Sequence, residues 1–168
     1  MKQFVVVTGG AGFIGSNLIS RLLKETEYNL ICLDNYFSGS KKNHIINERV
    51  KYLKCDTRNI AKKLDKFKNS IKCIFHFGEF SRIAQSFEYS EELINSNIHG
   101  TISVIEFCRI NEIKIIYSAT SSAFGNNFKD QNLSPYAFTK THNLNFILNY
   151  HDWFNLQFEI IYFYNVYG

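Results

Sequence analysis

Short apolar and β-branched runs recur along the chain at 4–7 (FVVV), 30–34 (LICLD), 50–56 (VKYLKCD), 72–77 (KCIFHF), 113–118 (IKIIYS) and 158–166 (FEIIYFYNV). Between them, apolar residues fall at helical spacing over 13–25, about 58–69, 88–110 and 136–153. Continuously apolar strands have no solvent face, and their alternation with helices is the signature of a parallel sheet covered on both sides. The pattern therefore predicts one doubly wound α/β domain over 1–168, with six or so parallel strands and helices on both faces. Pro135, the only proline, stands just before the last helical segment, where a missing N–H costs little. No internal repeat, low-complexity tract or flexible linker interrupts the pattern.

Composition narrows the partners. At 168 residues, with 45% apolar and 16% aromatic content, the chain can build one proper core and is not disordered. The formal charge of +4 is mild, and its lysines (among them Lys41, Lys42 and the run Lys62–Lys68) form no stripe interleaved with aromatics. No nucleic-acid partner is expected, and the Lys62–Lys68 run reads as a solvated helix face. Cys32, Cys55, Cys73 and Cys108 are widely spaced within apolar segments, which suggests free buried thiols in a reducing compartment. The opening MKQFVVVTGG has an apolar run too short for a signal peptide, and no stretch approaches a membrane span. The expected location is cytoplasmic, with no membrane partner. His44, His76, His99, His142 and His151 share no metal-ligand spacing with a Cys or an acid, so no metal is expected.

The stretch VVVTGGAGFIGSNLISRLL carries the first chemistry. It leaves the first strand and opens the first helix with glycines at 9, 12 and 15. Gly9 permits the tight turn, Gly12 lets backbone amides approach a pyrophosphate, and Gly15 allows close helix–strand packing beside a helix N-terminus of partial positive charge. Asp34 ends the second strand nineteen residues beyond Gly15. A carboxylate there accepts from a ribose 2′-hydroxyl and repels a 2′-phosphate, favouring NAD, although Lys41 and Lys42 leave NADP open. Asp56, in CDTR at the end of the third strand, is placed to take an adenine amino group. A structural turn and ordinary strand-end carboxylates are the plain alternatives.

TGGAGFIGSNL, DNYFSGS, CDTR, FHFGEF, NSNIHGT, YSATSSAFG, PYAFTK and YFYNVYG follow one another in the order found in the extended short-chain dehydrogenases. The chain most resembles their nucleotide-sugar epimerase/dehydratase branch, over essentially its whole length. The resemblance implies a Rossmann domain holding NAD through Gly9, Gly12, Phe13, Ile14 and Gly15 at the pyrophosphate. Asp34, Asn35, Ser38, Gly39, Asp56, Thr57, Phe77, Gly78, Glu79, Ser81, Asn97, Tyr136, Lys140 and Tyr164 would also line the cofactor, with Tyr164 near the nicotinamide, and Thr120 and Asn165 would meet the substrate. His76 reads as a strand residue under the cofactor. Glu79 departs from the small neutral residue usual at its position, and either faces outward or points into the sugar site. Asn97 matches an Asn that steadies the active-site end, a solvent-facing Asn being the alternative. Tyr162 stands where the family has Arg, which weakens the Asn165 assignment.

Tyr136 and Lys140, four apart on a helix, share one face, so the ammonium, together with the nicotinamide ring, can favour the phenolate of a group whose ordinary pKa is about 10. Tyr136 would then take a proton from a sugar hydroxyl. In related enzymes the assisting hydroxyl lies five residues before the glycine that ends YSATSSAFG. That gives Thr120, with Ser118, Ser121 and Ser122 competing. Dehydratases resembling this chain carry Asp-Glu directly after that Thr, whereas Ser121 and Ser122 stand here, which favours an epimerase. The resemblance also implies a nucleotide-sugar substrate, a homodimer through helices 88–110 and 136–153, and a substrate domain of which this chain holds no more than the entrance at YFYNVYG. The alternative is a cofactor-binding module or non-catalytic partner without turnover of its own.

Overall fold

The computed structural model describes residues 2–121 and 125–167. Among these the chain runs β1 (Phe4–Thr8), α1 (Phe13–Glu25), β2 (Asn29–Asp34), β3 (Val50–Lys54), α2 (Ile60–Leu64), β4 (Ile71–His76), α3 (Ser90–Leu93), α4 (Thr101–Ile110), β5 (Lys114–Thr120), α5 (Gly125–Phe128), α6 (Pro135–Phe154) and β6 (Phe158–Phe163). Every strand pairing is parallel, and the order across the sheet is β3-β2-β1-β4-β5-β6. The chain begins in the middle of the sheet, winds out to β3, and returns to lay β4 on the other side of β1. That reversal opens a crevice at the carboxyl ends of β1 and β4, where doubly wound sheets receive ligands.

All five residues of β1 are buried because alternate side chains enter two different cores. Val5 and Val7 pack with Leu30, Cys32 and Ile19 of α1. Phe4 and Val6 pack with Ile31, Leu33, Ile74 and Ile115, and with Ile60 and Leu64 of α2, Val104 and Ile105 of α4, and Ile147 of α6. Each such side chain taken out of water contributes about 1.5–3 kcal/mol before the entropy of ordering is set against it. The helix bearing Tyr136 and Lys140 is fixed at both ends. The Ser134 hydroxyl accepts from Ala137 N at 3.0 Å, Pro135 opens the first turn, and Asn155 closes the last in the left-handed region at φ 57.

Some boundaries differ from the sequence pattern. The helix expected over about 58–69 divides into a 3-10 turn at Thr57–Asn59, α2, and a second 3-10 turn at Lys68–Ser70. Phe67 turns inward there, its ring 5.2 Å from that of Phe4. The strand expected to reach 166 stops at Phe163, whose partner Thr120 is the last residue of β5. The third strand stops before Asp56, which instead caps the following turn by accepting from Arg58 N. The helix expected over 88–110 begins at Ser90 and opens into a π-helical stretch at Ile94–Gly100 between α3 and α4. Among the described residues no helix is long and apolar enough to cross a membrane. The four cysteines are free thiols, and burial, reinforced by Asp34, pushes Cys32 up to about 12.

Candidate functional site

The glycine loop leaves β1 at the crevice. Gly9 adopts φ +68, and a Cβ there would lie 2.6 Å from the Phe77 carbonyl oxygen, so the loop closes against the end of β4 only without a side chain. A Cβ at Gly15 would lie 2.3 Å from the Gly9 carbonyl oxygen, so α1 packs directly on the loop. Gly12 is different: its backbone is extended, and a Cβ there would meet only the Gly9 oxygen, at 3.2 Å. No side chain caps α1 at Gly12, and no acid lies in its first turn. The first-turn amides, at exposed Phe13 and half-buried Ile14, therefore keep their donors and the positive end of the helix dipole for an anion. This open cradle fits the pyrophosphate of a dinucleotide.

Asp34, 6% exposed, ties the loop to the end of β2. Its Oδ2 accepts from Ala11 N at 2.9 Å and its Oδ1 from Tyr36 N at 2.8 Å, which leaves each oxygen accepting capacity for a ribose hydroxyl. Gly39 backs onto this carboxylate, where a Cβ would come within 2.8 Å of Oδ1. Asn35 and Ser38 are exposed beside it. Asp56 is already engaged: Arg58 donates to both carboxylate oxygens, at 2.8 and 3.1 Å. Those bonds, with a further one from Asn35, hold its carboxyl below the usual range against the opposing effect of burial. Thr57 is buried against Gly100, where a Cβ would lie 2.3 Å from the threonine oxygen.

At the other end of the crevice, β5 delivers Thr120 and the first turns of α6 deliver Tyr136 and Lys140. The Thr120 hydroxyl and the Tyr136 phenol are hydrogen-bonded to each other. Ser118 turns elsewhere, its hydroxyl donating to the His76 carbonyl oxygen at 3.0 Å and accepting from Lys140 at 3.3 Å. Ser121 is partly buried, and Ser122 lies outside the described residues, as does Gly168. The phenol does not show the expected fall in pKa. Burial raises it above the ordinary tyrosine value and the Glu79 charge adds to that, with only the Thr120 bond opposing.

Glu79 is the cause, and its position answers the question left open by the sequence. It faces neither solvent nor sugar site. Its Oε2 accepts from the Lys140 ammonium, and its Oε1 accepts from Thr101 Oγ1 at 2.8 Å, Asn143 Nδ2 at 2.8 Å and the Tyr117 hydroxyl at 3.1 Å. Burial opposes this ionisation, but the Lys140 charge and the hydrogen bonds from Lys140 and Thr101 outweigh it and hold the carboxyl below its ordinary value. The network reaches back to the glycine loop. Thr8 Oγ1 accepts from Phe77 N and Gly78 N, at 3.1 and 2.9 Å, so its one hydrogen goes to His76 Nδ1, 2.7 Å away. The His76 proton is thereby placed on Nε2, 2.9 Å from Thr101 Oγ1, whose own hydrogen goes to Glu79. Burial keeps this imidazole neutral, pushing it down to about 4.

Asn97 is buried rather than solvent-facing. Its Oδ1 accepts from Phe80 N at 2.6 Å, and its Nδ2 donates to Phe80 O and Thr139 Oγ1, both at 3.1 Å. It thus pins the segment carrying Glu79 to the π-helical stretch and to α6, and does so as a scaffold residue. Ser81 is exposed just beyond. Tyr164, 73% exposed, and Asn165, also exposed, lie past the end of β6 and are not drawn into this cluster. Thr8, Thr101, Tyr117 and Asn143 complete the network and were not singled out from sequence. The available signal was Glu79 itself, because a carboxylate beside a buried strand end requires donors. Among the described residues no three His, Cys, Asp or Glu side chains gather as a metal site.

Comparison with known proteins agrees with this geometry. The family model described as the NAD dependent epimerase/dehydratase family matches residues 5–168. A putative UDP-glucose 4-epimerase of Methanocaldococcus jannaschii is 32% identical over 98% of this chain and 56% of its own length. The Bordetella bronchiseptica enzyme WbmF, in complex with NAD+, superposes with a TM-score of 0.86 at 27% identity, over 99% of this chain and 51% of WbmF. The UDP-N-acetylglucosamine 4-epimerase of Methanobrevibacter ruminantium M1, in complex with UDP-N-acetylmuramic acid, superposes with a TM-score of 0.86 at 27% identity, over 100% of this chain and 57% of that one. The chain spans about half the length of the relatives it matches.

Proposed function

The chain belongs to the NAD-dependent epimerase/dehydratase family, and on that premise we propose that it is the cofactor-binding portion of an NAD-dependent nucleotide-sugar epimerase. One observation carries the reading: Thr120, Tyr136 and Lys140 converge at the carboxyl end of the same sheet whose glycine loop offers an uncapped helix N-terminus. Gly9, Gly12 and the first-turn amides of α1 would hold the pyrophosphate, and Asp34 a ribose hydroxyl. NAD held there would supply a reversible hydride acceptor for the sugar carbon. The chain's own part is to orient the sugar hydroxyl with Thr120 and to accept its proton at the Tyr136 phenol oxygen, then give it back. Ser121 supplies neither acid nor base for an elimination, which favours epimerisation over dehydration.

The nucleotide sugar belongs to this proposal, as do the assignment of 1–168 to a single NAD-binding domain, homodimerisation and a cytoplasmic location. Four free thiols, three of them buried and Cys73 partly so, suit a reducing compartment. Exposed Ile94, Ile110, Phe138, Leu148 and Trp153 along the helices of 88–110 and 136–153 suit self-association. The test is incubation of the chain with NAD+ and UDP-hexoses, with epimer ratios followed by NMR. Interconversion that disappears in Tyr136→Phe supports the reading, and interconversion unchanged in that variant refutes the assigned base.

A second reading, a module that holds NAD without turning substrate over, is favoured by one specific observation. The Lys140 ammonium is spent on Glu79 and Ser118.

A further inference from the structure

We propose that Glu79 is a positioning residue that holds the Lys140 ammonium in an internal ion pair and so withholds its charge from the Tyr136 phenol. The inference rests on Tyr136 being the proton acceptor, and it adds a control over when that group is ready.

Three observations carry it. First, a lysine ammonium has three N–H donors, and all three have acceptors within the chain: Glu79 Oε2, the Ser118 carbonyl oxygen and the Ser118 hydroxyl. None remains for a neighbour in the crevice. Second, the carboxylate cannot swing aside. Thr101, Tyr117 and Asn143 hold its other oxygen from α4, β5 and α6, while Asn97 fixes Phe80 immediately after it. Third, the Glu79 charge acts on the Tyr136 phenol in the same direction as burial, favouring its neutral form, and only Thr120 opposes them.

The titratable groups around Tyr136 are Glu79 from the segment after β4, Tyr117 from β5 and Lys140 on its own helix. Tyr117 donates its hydroxyl to Glu79 and is pushed well above the ordinary tyrosine value, chiefly by burial and then by Glu79. His76, coupled to Glu79 and Lys140, is neutral. Among the described residues no other group supplies the positive charge that Glu79 removes, so in the chain without cofactor the phenol ionises in the alkaline range. A neutral residue at position 79 would release Lys140 and bring the base toward neutral pH.

The experiment is a pH titration of tyrosine 13Cζ resonances in the labelled 168-residue chain, with Tyr136 assigned by its loss in Tyr136→Phe. In the wild type the Tyr136 midpoint is expected at or above that of free tyrosine, and a midpoint well below it overturns the proposal without any variant. Glu79→Gln and Glu79→Ala are expected to lower the midpoint by about one pH unit or more, roughly a tenfold gain in phenolate at fixed pH. Adding Lys140→Met to either should cancel the fall, because the effect acts through the ammonium. An unchanged midpoint in a folded Glu79 variant, or a fall that survives Lys140→Met, overturns it. The titration needs neither NAD nor turnover. A chain that binds no NAD would therefore defeat the proposed function while leaving this result standing, and the reverse also holds.

Discussion

The Glu79 carboxylate and the Lys140 ammonium form an ion pair whose side chains are 3% and 5% exposed respectively. Two charges taken this far out of water stabilise little as a pair, but removing one strands the other. Because β4 leads into Glu79 and α6 carries Lys140, the pair also fixes how α6 sits on the sheet.

Lys140→Met should therefore destabilise the fold by about 3 kcal/mol at pH 8, the usual order for breaking a buried pair. Glu79 loses the partner that held its pKa down, so it is left as an unfavourable buried carboxylate above the range in which it protonates. The sign follows: the penalty is largest at alkaline pH and shrinks as falling pH neutralises Glu79. Urea unfolding of both proteins at pH 8 and pH 5 checks this, and a larger difference at pH 5 would contradict it.

His76 gives the opposite exposure to acid. Burial lowers its pKa from 6.5 to about 4, so between those values the unfolded chain binds a proton that the folded chain does not. The stability tied to the neutral ring is complete above pH 6.5 and is lost progressively as pH falls toward 4, a difference of roughly 3 kcal/mol. Chemical unfolding across this window should show wild-type stability falling with pH. His76→Gln, which cannot titrate, should start less stable at pH 7 and lose less on acidification. A parallel loss in the two proteins would remove His76 from the account.

The sequence shows clearly those features that depend on neighbours along the chain. The boundaries of α1 follow from its glycines and apolar spacing, the alternation of strand and helix requires a parallel sheet, and Tyr136 and Lys140 share a face because they are four residues apart. Features that depend on distant partners are hidden. β6 stops at Phe163 because β5 stops at Thr120, which no pattern within 158–166 reveals. Asn97 is a scaffold residue because Phe80 and Thr139 meet it from outside its own helix. Glu79 is the clearest case, since its donors arrive from α4, β5 and two positions on α6. From FHFGEF alone the residue is only an unusual one.

Whether the loop after β1 holds a dinucleotide is decided by calorimetric titration with NAD+ of the wild type beside Gly12→Val. The Gly12 backbone is extended and a Cβ there meets only one atom, at 3.2 Å, so the variant should fold while its side chain fills the cradle. Gly15→Ala is the contrasting control, as its Cβ would strike the Gly9 carbonyl oxygen at 2.3 Å and should cost stability outright. The wild type should bind saturably, and a Gly12→Val chain of wild-type melting temperature should lose at least about tenfold in affinity, or about 1.4 kcal/mol. No heat of binding from the folded wild type at millimolar NAD+, or equal affinity in the two chains, would contradict it.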